Sequence, residues 1–171
     1  DMRKTPGIDM TTGSLGQGIS AANGMAIAAK MDKRPVRVYV MIGDGEMEEG
    51  ELWEAAMTAV HRKLDNLVAI LDYNGLQIDG SIEEVKSLTG IPGRFRAFGW
   101  HVIEINGHDP DAIAAAFDEA RTIKGRPGMV RAKTIGGKGG SVMEGEAGWH
   151  GKAPKPEQLE QALKELDGGE A

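Results

Sequence analysis

The sequence predicts an α/β fold, a parallel β-sheet flanked by helices on both faces, from three observations. Strand-like and helix-like segments alternate along the 171 residues, the pattern of parallel sheets covered by helices. Two runs, Val36 to Ile42 and Leu67 to Tyr73, are dominated by apolar residues without strict alternation, as strands buried on both faces are. Each run ends in a turn that sets a polar residue beside glycine, Gly43-Asp44-Gly45 and Asn74-Gly75.

The elements follow in order. Thr11-Thr12-Gly13-Ser14-Leu15-Gly16-Gln17-Gly18 is a glycine-rich loop leading into a helix over 15–31, rich in small residues and ended by Lys33-Arg34-Pro35. The first strand spans 36–42 and is expected to be apolar on both faces. A helix over 48–63 carries Leu52, Trp53, Ala56, Met57 and Val60 at helical spacing. Glu46, Glu48 and Glu49 near its start favour the helix dipole. The second strand spans 67–73. Ser81 and Glu84 form a capping-box pattern at the start of a short helix over 81–90. Phe95 to Phe98 belong to another helix, closed by Gly99, and Trp100 to Ile105 form a third strand. Asp109 caps a helix over 110–123 with Pro110 as its first residue. A fourth strand, Met129 to Ile135, leads into a glycine-rich loop over 136–151. A last helix spans 156–166, and Asp167 to Ala171 are expected to fray. No repeat or linker divides the chain, so one domain is expected over 1–171.

Composition narrows the functional classes. Hydrophobic residues make up 40% and charged residues 27%, ordinary for a soluble globular chain. The net charge of −6 argues against broad nucleic-acid or acidic-membrane binding. No apolar run approaches a membrane span. The absence of cysteine rules out thiolate chemistry and fits a cytoplasmic protein. Many of the 25 glycines fall in four loops, where a backbone can approach a ligand closely. Asp1 to Gly7 reads as mid-loop, so the chain is expected to be a fragment, a processed product or one piece of a larger assembly.

Asp44 and Asn74 stand 30 residues apart, each at the carboxyl end of a predicted strand, the edge where open α/β sheets bind ligands. Asp, Asn and backbone carbonyls are hard oxygen donors suited to Mg²⁺ or Ca²⁺. Glycines beside Asp44 leave room for a bulky anion. Together these residues suggest a divalent metal holding a phosphorylated ligand.

At this point the chain resembles the diphosphate-binding domain of thiamine diphosphate enzymes, whose motif is Gly-Asp-Gly, a helix, then Asn. Within that superfamily it is most similar to transketolase. The matching segments are Thr11 to Gly18, Gly43 to Gly50 with Trp53-Glu54-Ala55, Tyr73 to Gly80, Gly107-His108-Asp109 and Trp149-His150-Gly151-Lys152-Ala153-Pro154. The last segment resembles the end of the N-terminal subunit of split transketolases, in which a second polypeptide carries the rest of the enzyme.

The resemblance implies the thiamine diphosphate-binding fold, thiamine diphosphate as cofactor and Mg²⁺ or Ca²⁺ as metal. It implies Asp44, Asn74 and the Leu76 carbonyl as metal ligands. Gly43, Asp44, Gly45 and Asn74 would hold the diphosphate, with Gly45 approaching through its N–H, while Gly13 and Leu15 would line the aminopyrimidine region. Glu49 would face the cofactor-activating Glu of the other half-site and share a proton with it. His150 would contact the diphosphate and exchange protons near the reacting carbon. The resemblance also implies a companion C-terminal chain, sugar phosphate substrates and a two-fold assembly of paired chains. The activity implied is transfer of a two-carbon ketol unit.

Two departures accompany the match. Asp72-Tyr73-Asn74 stands where the family has an Asn-Asn pair, and Ser14 where many relatives have Pro. The family's upstream histidines lie outside this sequence. Alternatives within the superfamily are 1-deoxyxylulose-5-phosphate synthase and the 2-oxo acid dehydrogenase decarboxylases. From another class, a non-catalytic remnant that binds a partner also stays open.

Overall fold

The computed structural model describes residues 1–168. Its core is a four-stranded parallel sheet of β1 (Val38–Gly43), β2 (Leu67–Tyr73), β5 (His101–Asn106) and β6 (Gly128–Lys133), in the spatial order β1-β2-β6-β5. Side chains alternate across each strand, so two cores form. On one face, Val40, Ile42, Leu67, Ala69, Leu71 and Met129 pack against three helices, α1 (Gln17–Met31), α2 (Gly50–His61) and α4 (Ile91–Phe98). On the other, Val68 and Val130 pack against α5 (Pro110–Thr122). Helices therefore flank both faces, as the alternating pattern required.

Most elements fall where the residue pattern put them, and the exceptions have physical reasons. The first strand is an edge strand. Val38, Val40 and Ile42 point into the core, while Tyr39 and Met41 on the other face are 45% and 66% exposed. The expectation of burial on both faces fails because β1 lies at the sheet edge, where Phe117 of α5 meets Tyr39 edge-to-face at 5.6 Å and leaves the face partly open. The helix expected over 48–63 divides. Gly45–Glu48 forms a 3₁₀ turn, and α2 begins only at Gly50, with Glu49 extended at its N-cap. Met47, fully buried, anchors the turn, and the Trp53 indole donates to the Met47 carbonyl at 2.9 Å.

A two-stranded hairpin of β3 (Leu76–Gln77) and β4 (Gly80–Ser81) follows β2. The helix expected over 81–90 is a single turn, α3 (Ile82–Lys86), capped as anticipated by the Ser81 hydroxyl accepting from Glu84 N. Asp109 caps α5 by accepting from Asp111 N and Ala112 N. The last helix, α6 (Pro156–Asp167), is capped by Gly168; the fraying expected of the terminal residues lies, beyond that point, outside the described residues. Among the described residues no helix is long and apolar enough to cross a membrane.

Two polar details fix the frame. Asp65, just before β2, accepts from Lys30 Nζ at 2.6 Å and from Gly125 N at 2.9 Å, so one carboxylate joins α1 to the approach to β6. Burial pushes its pKa up, but the Gly125 N–H and the Lys30 ammonium outweigh that, and the net shift is downward. At the start of α1, Gly16 adopts a left-handed φ of 81°, and a Cβ there would lie 2.8 Å from Glu49 Cβ.

Two outcomes follow from these details. Asp65→Ala should cost about 1–3 kcal/mol near neutral pH, the range for hydrogen bonds to a charged group. A depressed folded pKa stabilises above the unfolded value and loses that contribution as pH falls through the folded value. The gap between parent and variant should thus shrink on acidification through the carboxylate range, as read by urea unfolding at a series of pH values. Gly16→Ala combines a positive φ with a steric clash and should cost about 1–3 kcal/mol, seen as an earlier urea midpoint.

Candidate functional site

The parallel register brings the carboxyl ends of the four strands to one edge. Gly43 pairs with Asp72, and Tyr73 and Asn106 both pair with Lys133. The loops that leave these ends therefore converge. His108, after β5, accepts from Ile135 N at 2.8 Å through Nε2, and the Thr134 hydroxyl donates to Asp72. His108 thus has the turn role that a residue before a helix cap suggests.

Asp44 is the centre of this edge. Its residue is only 2% exposed. One carboxylate oxygen accepts from Gly45 N at 2.9 Å and the other from Gly75 N at 2.5 Å. The second bond spans the turns after β1 and β2, so the two loops singled out in the sequence are in direct contact. Gly75 makes it possible with a left-handed φ of 79°. Burial raises the Asp44 pKa; the Gly75 and Gly45 N–H groups work against that, and the negative Asp72 adds to it. Among the described residues Asp44 has no ion-pair partner. A buried carboxylate without a cation is costly, and a hard cation is the chemistry that would offset it.

Asn74 Oδ1 accepts from Leu76 N at 2.8 Å, an Asx-type turn that directs the Asn oxygen back along the chain. Asn74, Leu76 and Gln77 form one wall of a cleft of about 140 Å³ whose other wall is Gly136, Gly137, Met143, Trp149 and His150. The glycine loop, with the exposed His150, thereby shares a cleft with Asn74 and Leu76, while Asp44 does not line it. A larger trough of about 830 Å³ runs along the free edge of β1, beside α1 and the N-terminal segment, and includes none of Asp44, Asn74 or His150. Among the described residues no three His, Cys, Asp or Glu side chains cluster as a metal site. The candidate donor set is instead one carboxylate, one amide oxygen and a carbonyl, a mixture suited to a hard ion that also takes oxygens from its ligand.

The glycine loop is held from behind. Ser141 donates to Glu165 from N at 2.7 Å and from Oγ at 2.6 Å, and the Gln161 amide also reaches Glu165 at 2.9 Å. These bonds lower the Glu165 pKa, the Ser141 hydroxyl most. Lys138 pairs with Glu144 at 3.5 Å on the surface.

Other candidate residues lie further from this cleft. Leu15 is 54% exposed, so it is no core residue, and Gly13 has open space around it. Glu49 is exposed and backs Gly16. The Gly45 N–H is engaged by Asp44, and the Gly43 N–H donates to Glu46 at 3.2 Å. Glu46 is the residue that sequence reasoning passed over. Its other oxygen accepts from Gly16 N at 2.8 Å, which joins the first glycine loop to the Gly43 turn. A Glu in the first turn of an expected helix reads as a dipole contact, and only the 3₁₀ turn redirects it.

Comparison with known proteins agrees with this architecture. Residues 1–169 match the family model described as transketolase, thiamine diphosphate binding domain. The 6-deoxy-6-sulfo-D-fructose transketolase subunit SqwG of Clostridium sp. is 50% identical over 167 residues, 98% of this chain and 61% of that protein. An apulose-4-phosphate transketolase subunit from Phocaeicola vulgatus is 48% identical over 163 residues, 95% of this chain and 58% of that protein. The chain thus spans about three fifths of these relatives. A crystal structure of transketolase from Campylobacter jejuni superposes with a TM-score of 0.87 at 35% identity, over 95% of this chain and 26% of that one. With a family match along almost its whole length and the same parallel sheet, the chain belongs to the transketolase thiamine diphosphate-binding domain family.

Proposed function

We propose that this chain is the diphosphate-holding part of a transketolase that works as a multi-chain enzyme. Asp44, Asn74 and the Leu76 carbonyl would hold Mg²⁺ or Ca²⁺, and the Gly43-Asp44-Gly45 turn would receive the diphosphate of thiamine diphosphate. The observation that carries this reading is the Gly75 N–H to Asp44 bond at 2.5 Å. It joins the buried Asp44 carboxylate to the turn that carries Asn74, at the carboxyl ends of the strands, where open α/β sheets bind ligands.

The bound cofactor supplies the electron sink for carbon–carbon bond cleavage and formation. This chain's residues bind, orient and shuttle protons. Asp44 offsets the metal charge, and Asn74 and Leu76 close the donor set from the neighbouring turn. Leu15 offers an apolar surface to the aminopyrimidine, with Gly13 giving backbone access beside it. His150, on the loop wall of the cleft, exchanges a proton with a substrate hydroxyl, chemistry that imidazole supports near neutral pH. Glu49, exposed at the α2 N-cap, shares a proton with a carboxylate of the other half-site across an assembly interface.

The substrates are anionic sugars. The names of the two relatives carry a sulfo sugar and a sugar phosphate, and both relatives are named as subunits. A companion chain with the pyrimidine-binding domain, a two-fold assembly of such pairs and a cytoplasmic setting complete the reading.

Calorimetric titration of the assembled pair with thiamine diphosphate and Mg²⁺ tests it. Asp44→Ala should abolish binding, because the lost donor leaves the diphosphate charge uncompensated; unchanged binding would sink the metal assignment. A coupled ketol-transfer assay should show turnover only when both chains are present. Robust turnover by this chain alone would refute the shared site.

A further inference from the structure

We propose that Glu46 is a positioning residue that sets the spacing between the two glycine loops of the cofactor site. This rests on the reading of the site given above and adds to it a residue outside its ligand set.

Glu46 uses both carboxylate oxygens on backbone N–H groups from separate parts of the chain. Oε1 accepts from Gly16 N at 2.8 Å, 30 residues away in sequence, and Oε2 accepts from Gly43 N at 3.2 Å. Gly16 ends the loop that carries Gly13 and Leu15, and Gly43 begins the turn that carries Asp44. One side chain therefore bridges the segment assigned to the aminopyrimidine and the segment assigned to the diphosphate.

The bridge is stiff at its base. Glu46 stands in the 3₁₀ turn, next to Met47, which is fully buried and holds the Trp53 indole. The neighbouring Glu48 accepts from Gln77 Nε2 at 3.0 Å and ties the same turn to β3. Glu49 Cβ supports Gly16 from below. The three glutamates of one short segment thus reach the Gly16 loop, the Gly43 turn and β3. Among the described residues Glu46 forms no ion pair, so its charge is met by N–H groups alone. Bonds of this kind are stronger than neutral ones. A glutamine in its place offers one acceptor and turns an NH₂ toward a donor. Thiamine diphosphate joins its rings to its diphosphate through a short two-carbon chain of limited reach, so the two loops must stay close to hold both ends.

The test uses the assembled enzyme and two probes, thiamine diphosphate with Mg²⁺ and inorganic pyrophosphate with Mg²⁺. Pyrophosphate needs only the Gly43-Asp44-Gly45 and Asn74 turns, which the Gly75 N–H to Asp44 bond holds together without Glu46, whereas the whole cofactor needs the Gly16 loop as well. Glu46→Ala and Glu46→Gln should each weaken thiamine diphosphate about tenfold, the effect of one charge-assisted hydrogen bond. Pyrophosphate affinity should stay within about twofold, and hydrogen exchange at the Gly16 amide should quicken about tenfold in both variants. Equal loss of both probes, or loss of neither, would overturn the proposal, and so would a Glu46→Gln protein too unstable to assay. A parent enzyme that binds neither probe would overturn the cofactor reading and this inference together. A parent that binds both while the variants match it would overturn this inference alone.

Discussion

The buried carboxylate of Asp44 is the constraint on which the rest of the site depends. It closes the gap between the first two strands by accepting an N–H from each following turn, Gly45 on its own side and Gly75 on the other. Without those donors a carboxyl at 2% exposure would be left desolvated, which is expensive. With them it still carries a pKa raised by burial, so its environment favours a partner of positive charge. The geometry that joins the two turns at this edge is also the geometry on which the proposed cation site rests. Gly75 is required on the same grounds, because its left-handed φ points the N–H at the carboxylate.

Around that point the sheet acts as a ruler. Parallel register puts Gly43 opposite Asp72 and Tyr73 opposite Lys133, so loops far apart in sequence leave the sheet at the same height. The Glu165 contacts to Ser141 hold the long glycine loop from the side of α6, and the cleft between that loop and the Asn74 turn is the consequence. Flexibility from glycine and anchoring from carboxylates are therefore distributed to different residues. Glycines permit the close approach, and Glu46, Glu144 and Glu165 fix where the loops stop. Glu144 does so within the loop, its pKa lowered by the Gly139 N–H above all.

How much of this was legible in the sequence follows from the range of each signal. The second strand appears within its expected bounds because it is central and covered on both faces, which produces a continuous apolar run. β1 has a similar run, yet Tyr39 and Met41 stand exposed, because composition does not distinguish an edge strand from a central one. The Ser81 and Asp109 caps were readable since capping is decided within a few residues. That the turns carrying Asp44 and Asn74 meet was readable because each follows a strand and topology does the rest. Glu46 was not, since its partners lie 3 and 30 residues away and a 3₁₀ turn leaves no periodic trace. The β3 and β4 hairpin was too short to announce itself beyond its turn residues.

Tyr73 shows how the packing of β2 and the turn that follows it are held by different bonds. Its ring lies under the Arg131 guanidinium at 4.1 Å, on the same face as the main core. Arg131 in turn pairs with Glu104, which also holds Arg96 of α4. Tyr73 is thus committed to a stack that joins β2, β6 and β5 across the sheet, and Arg–aromatic stacks are favourable where water is partly excluded. Asn74 is the next residue, past the end of the strand, and successive side chains of an extended segment point opposite ways. A change at 73 therefore alters the packing beneath the sheet edge. The oxygen at 74 stays in its Asx turn with Leu76 N, directed by a local bond that does not pass through the Tyr73 ring. The Asn74 turn and the core packing of Tyr73 are therefore physically separable at this boundary.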